Sequence, residues 1–161
     1  MRARITPALR PVLLLLLALA AVAGVSSSAE GAKRRDLARD EKRGGHTLSR
    51  HVGLSDADLR KRLQRDQRIS AASTYTDRLT AEEAVTSALH ASKKRVDAWM
   101  MREGSRANLV VDWPGNARVL GRSLRRGDKA PVPCTRALVI LKWNTETEIY
   151  YVLTSYPEAS R

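Results

Sequence analysis

The chain has 161 residues, with 29 Lys and Arg against 17 Asp and Glu, three His and one Cys. One cysteine cannot close an intramolecular disulfide, which excludes the small disulfide-framework folds, including secreted protease inhibitors built that way. A formal charge of +12 suits polyanionic partners: nucleic acid, an anionic membrane surface or a cell-wall polymer.

Arg2, Arg4 and Arg10 make a positive start, Val12 to Ala23 is an unbroken apolar run, and Ser27, Ser28 and Ala29 are small residues of the kind a signal peptidase reads. The run is shorter than the roughly 18 apolar residues of a membrane span. Residues 1–29 are therefore read as a cleaved secretory signal, and the product as a secreted, extracellular protein with no stable membrane insertion after cleavage. Removing them leaves 26 basic and 17 acidic residues, a formal charge of +9. Residues 30–43 are dense in charge, with Leu37 the one large apolar side chain, and read as a charged linker or frayed helix. Residues 44–158 are expected to form one domain. Within it Cys134 has no helix start or charged cluster beside it and reads as a small buried hydrophobe.

In chain order, Leu48, His51 and Val52 at i, i+3 and i+4 predict a short helix ended by Gly53, with His51 on the side of the two apolar anchors. Ser55 is placed to cap a second helix, with Asp56 and Asp58 in its first turn and Leu59 and Leu63 as its buried stripe. Arg62 then borders the core, whereas Arg60 and Lys61 point towards water. Residues 70–78 are polar, Thr-rich and aperiodic, and are expected to be a loop. Thr80 with Glu83 matches a capping box, and Val85, Leu89, Val96, Trp99 and Met100 predict one long helix ending near Gly104. His90 on that helix reads as a solvent-facing or partly packed side chain.

From Asn108 the pattern changes to strands: 108–113, a Pro114-Gly115-Asn116 turn, then 118–124. Residues 137–143 and 149–156 flank 144–148 as a hairpin. Alternation puts Tyr150, Val152, Thr154 and Tyr156 on one face of the last strand and Ile149, Tyr151 and Leu153 on the other. The whole predicts an α+β domain, helices packed on a curved antiparallel sheet.

Three segments carry the chemistry: Gly-Gly-His-Thr-Leu-x-x-His-Val-Gly from Gly44 to Gly53, Asp-x-x-Leu-x-x-Arg-Leu from Asp56 to Leu63, and Tyr-x-Val-x-Thr-x-Tyr-Pro from Tyr150 to Pro157. In order and spacing they resemble the bacterial ribonuclease A-like toxin domain, found at the C-termini of contact-dependent growth inhibition proteins and other polymorphic toxins. The resemblance covers the chain after the linker. It implies a ribonuclease A-like α+β fold, no metal or cofactor, RNA as substrate and a cognate immunity protein as partner. Matched residue by residue, it implies His51, Arg62, Thr154 and Tyr156 as catalytic residues and His46 as a possible additional one. No histidine stands near the C-terminus, so the two-histidine mechanism of vertebrate ribonuclease A does not transfer whole.

The residue types fit RNA transesterification, in which a 2′-hydroxyl attacks the neighbouring phosphate to leave a 2′,3′-cyclic phosphate. An imidazole moves protons near neutral pH. A guanidinium stays charged and donates in a planar fork to the phosphorane. Thr154 would donate to a phosphate oxygen or a base edge, and Tyr156 is a hydrogen-bond donor first. Arg118, Arg122, Arg125, Arg126 and Lys129 read either as a phosphate-binding track or as a solvated basic edge. The expectation is a monomeric, metal-independent endoribonuclease. A non-catalytic cationic protein binding nucleic acid or an anionic envelope is the alternative, and it would need only the charge.

Overall fold

In the computed structural model, residues 33–159 are described. The signal expected over residues 1–29 lies outside them. Among the described residues, five helices and six strands follow one another as α1 (Leu37–Glu41), α2 (Thr47–His51), α3 (Asp56–Arg65), β1 (Ala71–Tyr75), α4 (Arg78–Ala91), α5 (Lys93–Met100), β2 (Leu109–Trp113), β3 (Gly121–Arg125), β4 (Val132–Cys134), β5 (Arg136–Asn144) and β6 (Ile149–Glu158). All pairings between these strands are antiparallel. The strands divide into two three-stranded sheets, β1-β3-β4 and β2-β5-β6, where the sequence pattern had led us to expect one. A hydrogen bond of 2.7 Å between the buried Tyr75 Oη and Ser155 Oγ ties β1 to β6, joining the two sheets.

The larger core lies between the β2-β5-β6 sheet and the α4–α5 pair. Val85, Val96, Trp99, Val111, Val139 and Val152 fill it. Trp99 meets Trp143 edge-on at 6.1 Å and spends its indole N–H on the Ala107 carbonyl, 2.9 Å away. A smaller cluster of Leu59, Leu63, Ala72 and Leu124 fixes α3 on the other sheet.

Four expectations are corrected. Of residues 30–43, read as a charged linker or frayed helix, the described part is no linker but carries the helix α1: Leu37 is fully buried in the main core, and buried Asp40 pairs with Arg35. One apolar residue among charges gives no periodic signal, yet a completely buried leucine is enough to dock a single turn. The expected 70–78 loop contains β1, paired with β3 from Ala71↔Arg125 to Tyr75↔Gly121. Its small polar residues alternate in no visible way because Ala72 to Tyr75 are all buried, leaving no solvent face to mark. The predicted long helix is two, broken at Ser92, and its cap is Asp77, whose carboxylate accepts from Thr80 N at 2.7 Å; Thr80 itself is buried. The fourth concerns β6. Ile140 pairs with Thr154 and Leu141 with Val152, so Leu153 is a bulge. Val152 shares the face of buried Leu141, whereas Thr154 and Tyr156 fall on the opposite face, with Ile140 and Leu138. Thr154 and Tyr156 stay together but part from Tyr150 and Val152.

Candidate active site

The bulge is where the N-terminal segment docks. His46 N donates to the Leu153 carbonyl at 2.9 Å, and Ser155 N donates to the buried Thr47 Oγ1 at 2.9 Å. Gly45 is required by this approach: a Cβ there would stand 2.5 Å from the Val152 carbonyl oxygen and 3.0 Å from that of Asp40. These contacts lay α2 across β6 at the level of Thr154. On the far side of α2, Gly53 N donates to the Tyr75 carbonyl at 3.0 Å and Leu54 N to Thr74 Oγ1 at 3.0 Å, so the chain leaving His51 is held by β1.

His51, the last residue of α2, is thereby wedged between the two sheets with only 6% of its surface exposed. Its Nδ1 lies 3.1 Å from the Ser73 carbonyl. A carbonyl only accepts, so Nδ1 carries the proton and Nε2 of the neutral ring keeps its lone pair. Burial first, then the charge of Arg62, pull the imidazole down to about 3 against the smaller opposing effect of the Ser73 bond. His51 is therefore neutral at physiological pH. The Tyr156 ring lies 5.3 Å away, centroid to centroid.

Arg62 comes from α3, whose N-terminus is closed by a reciprocal Ser55–Asp58 capping box. Leu59 and Leu63 pin the helix, and Arg62 at the edge of that stripe donates from Nη1 to the Arg50 carbonyl at 2.8 Å. One prong of the fork is thus anchored on the end of α2. Burial, and next the neighbouring Arg50, lower the guanidinium from its usual value. His46 is half-buried and likewise lowered, by burial first and then by Arg50 and Arg62.

His46, His51, Arg62, Thr154 and Tyr156 all line one cleft of about 550 Å³. Burial, with the charge of Glu158 behind it, raises the Tyr156 phenol, which therefore stays a hydrogen-bond donor. Thr154 Oγ1 is buried and has no hydrogen-bond partner. Among the described residues no side chain or backbone group takes that hydroxyl, so it is free to bond a group that enters the cleft. Four donors or proton carriers thus meet at one opening: a lone-pair nitrogen, a cation, an unpaired hydroxyl and a phenol. Among the described residues no group of three or more His, Cys, Asp or Glu is arranged to hold a metal ion.

Of the five residues read as a phosphate track, only Arg125 lines the cleft. Arg122 is committed to Asp56 at 2.6 Å and to the Leu54 carbonyl at 2.8 Å, and Arg126 to the carbonyls of Leu63, Asp66 and Ile69. Arg118 pairs with Glu83 at 3.0 Å, and Lys129 is exposed away from the cleft. Arg68 and Ser123, which sequence reasoning passed over, do line it. Neither carried a signal, since Ser123 enters only through the β1–β3 register and Arg68 only through the turn after α3.

Fold and site together define an α+β domain with a His, Arg, Thr and Tyr cleft between two antiparallel sheets. Residues 45–157 match the family described as the bacterial CdiA-CT RNAse A domain, and the chain belongs to that family. It is similar to a chain in a crystal structure of a CdiA-CT/CdiI complex from Y. kristensenii 33638, with 28% sequence identity and a TM-score of 0.62, over 71% of this chain and 99% of the other. No curated protein sequence matches it. The domain is thus a bacterial ribonuclease A-like toxin domain of the contact-dependent growth inhibition class.

Proposed function

We propose that this chain is a secreted, metal-independent endoribonuclease that cleaves RNA by 2′-hydroxyl attack, leaving a 2′,3′-cyclic phosphate, and that it acts as an antibacterial toxin. The observation that carries this reading is the meeting of His51, Arg62, Thr154 and Tyr156 on one cleft. His51, neutral with a bare Nε2, takes the proton of the 2′-hydroxyl as its oxygen attacks phosphorus. Arg62 donates to the phosphorane oxygens as their charge grows. Thr154 Oγ1 donates to a non-bridging oxygen. As the bond to the 5′ oxygen breaks, the Tyr156 phenol supplies the hydrogen bond or proton that this oxygen needs. His46 is a second proton-transfer group at the rim.

RNA is the substrate, and the solved relative's complex with CdiI supports a cognate immunity protein as partner here. Among the described residues no helix is long and apolar enough to cross a membrane. The domain works as a monomer, and export rests on the N-terminal signal.

The test is a gel of the purified protein with total RNA at neutral pH in excess chelator. Cleavage with cyclic-phosphate ends is expected. Activity lost in chelator and restored by magnesium overturns the metal-independent mechanism, and intact RNA held tightly by the protein points to a cationic binder instead.

Thr154→Val separates site from scaffold. The valine keeps shape while deleting one hydroxyl that bonds no other described residue, so stability to urea is expected to change by no more than about 1 kcal/mol while turnover falls. A destabilised variant with wild-type turnover would reverse that assignment.

A further inference from the structure

Beside the cleft lies a second groove of about 460 Å³, formed by the end of α2, the outer face of α3 and the turn after it. Arg62 and Arg68 line both. Three further cations, Arg50, Lys61 and Arg65, line the groove alone. Lys61 and Arg65 are four apart on α3 and so stand side by side, with Cβ atoms roughly 5–6 Å apart. Among the described residues neither these two nor Arg50 is held in an ion pair. Two carboxylates are also present. Asp58 is spent on the Ser55 cap, and Asp66 is paired with Arg68 at 3.0 Å. The groove therefore keeps an excess of positive charge that the protein itself does not neutralise.

We propose that this groove is a subsite for single-stranded RNA flanking the cleavage point, with Arg50, Lys61 and Arg65 binding successive phosphates. The inference rests on the ribonuclease reading of the neighbouring cleft. Continuity carries it: a strand whose scissile phosphate contacts Arg62 in the cleft passes next over the groove that the same arginine borders. Among the described residues no aromatic side chain lines the groove, so they offer no platform on which a base would stack. It binds backbone and is indifferent to sequence, leaving any base preference to the cleft. The α3 face therefore supplies phosphate contacts that Arg118, Arg122 and Arg126, held by Glu83, Asp56 and backbone carbonyls, do not.

The experiment compares three substrates, each with a single ribonucleotide as its only cleavable position. One is a dinucleotide, one is extended by three deoxynucleotides on the 5′ side, and one on the 3′ side. Wild-type full-length protein is set against the Lys61→Gln/Arg65→Gln double variant, in which glutamine preserves helix propensity. One extended substrate is expected to show a higher kcat/KM than the dinucleotide, by about tenfold if the groove adds near 1.4 kcal/mol. The side that gains reports which way the strand runs. The double variant should lose most of this ratio, and the Lys61→Arg/Arg65→Lys variant should keep it.

Binding of an all-deoxy, uncleavable octamer across a salt series is the second readout. With two phosphate contacts gone, the log-log slope for the double variant should be shallower by about 1.4. Dinucleotide cleavage with no gain from either extension overturns the groove proposal and leaves the ribonuclease reading standing. No cleavage of any substrate overturns that reading. The octamer then judges the groove by itself: equal affinity and equal slope in wild type and double variant overturn it.

Discussion

Replacing His51 by alanine is expected to lower kcat for RNA cleavage by roughly 10² to 10⁴, the usual contribution of a positioned proton-transfer group. RNA affinity should change little, because a neutral imidazole adds no charge to the cleft. The pH profile makes the test sharper. A base that burial and Arg62 hold down to about 3 remains unprotonated through the ordinary histidine range. The acid limb of kcat/KM is therefore expected well below pH 6.5, and a limb centred on 6.5 would show that another group, His46 first, is the base. The same shift acts on stability. The unfolded chain takes up a proton near pH 6.5 and the folded chain only near 3, so stability is complete above 6.5 and is lost as pH falls, by about 1.4 kcal/mol per unit from this group. Urea unfolding at pH 7 and pH 5 should show the loss in wild type and a smaller one in His51→Gln.

Arg62→Ala is expected to cost roughly 10² to 10³ in kcat, the usual loss on removing one preorganised donor to developing charge, and to raise KM as well. The double effect distinguishes it from His51→Ala, because the guanidinium attracts the phosphate before reaction as well as during it. Lysine should rescue poorly. Arg62 spends one nitrogen on the Arg50 carbonyl at 2.8 Å and keeps the rest of its fork at the cleft, a division a point-charged ammonium cannot reproduce. The bond is at the surface, so its loss should cost no more than about 1 kcal/mol of stability. Arg62→Lys with wild-type kcat and KM would mean that charge alone, without fork geometry, does the work.

Helix ends and helix faces were legible in the chain because their signals are local. Ser55 with Asp58, Gly53 after His51, and the Leu59–Leu63 stripe each act within a few residues, so they put His51 at a helix end and Arg62 on a core border before any tertiary contact was known. The β5–β6 hairpin was equally plain, Asn144 accepting from Glu146 N and Thr147 N in its turn. The pairing of Thr154 with Tyr156 survived because both lie beyond the bulge.

Residues 33–43 and 71–75 were misread for opposite reasons, one too charged to look packed and the other too evenly buried to alternate. Neither pattern carries a period, and only the partners, Leu37 in the core and β3 beside β1, decide the outcome. The basic segment 118–129 shows the limit for charge: composition counts arginines, but whether each is free depends on which carboxylates and carbonyls fold against it.

The sequence by itself determined the helical positions of His51 and Arg62 and the two-residue spacing of Thr154 and Tyr156, since backbone geometry within one element sets these. Only the tertiary structure decided that they share a cleft. The Leu153 bulge turns Thr154 and Tyr156 away from Val152, Gly45 lets α2 approach β6 at that point, and the Ser73 carbonyl fixes the His51 ring. The bulge is a register choice within one hairpin, and the other two are contacts between separate elements, none of which a local pattern records.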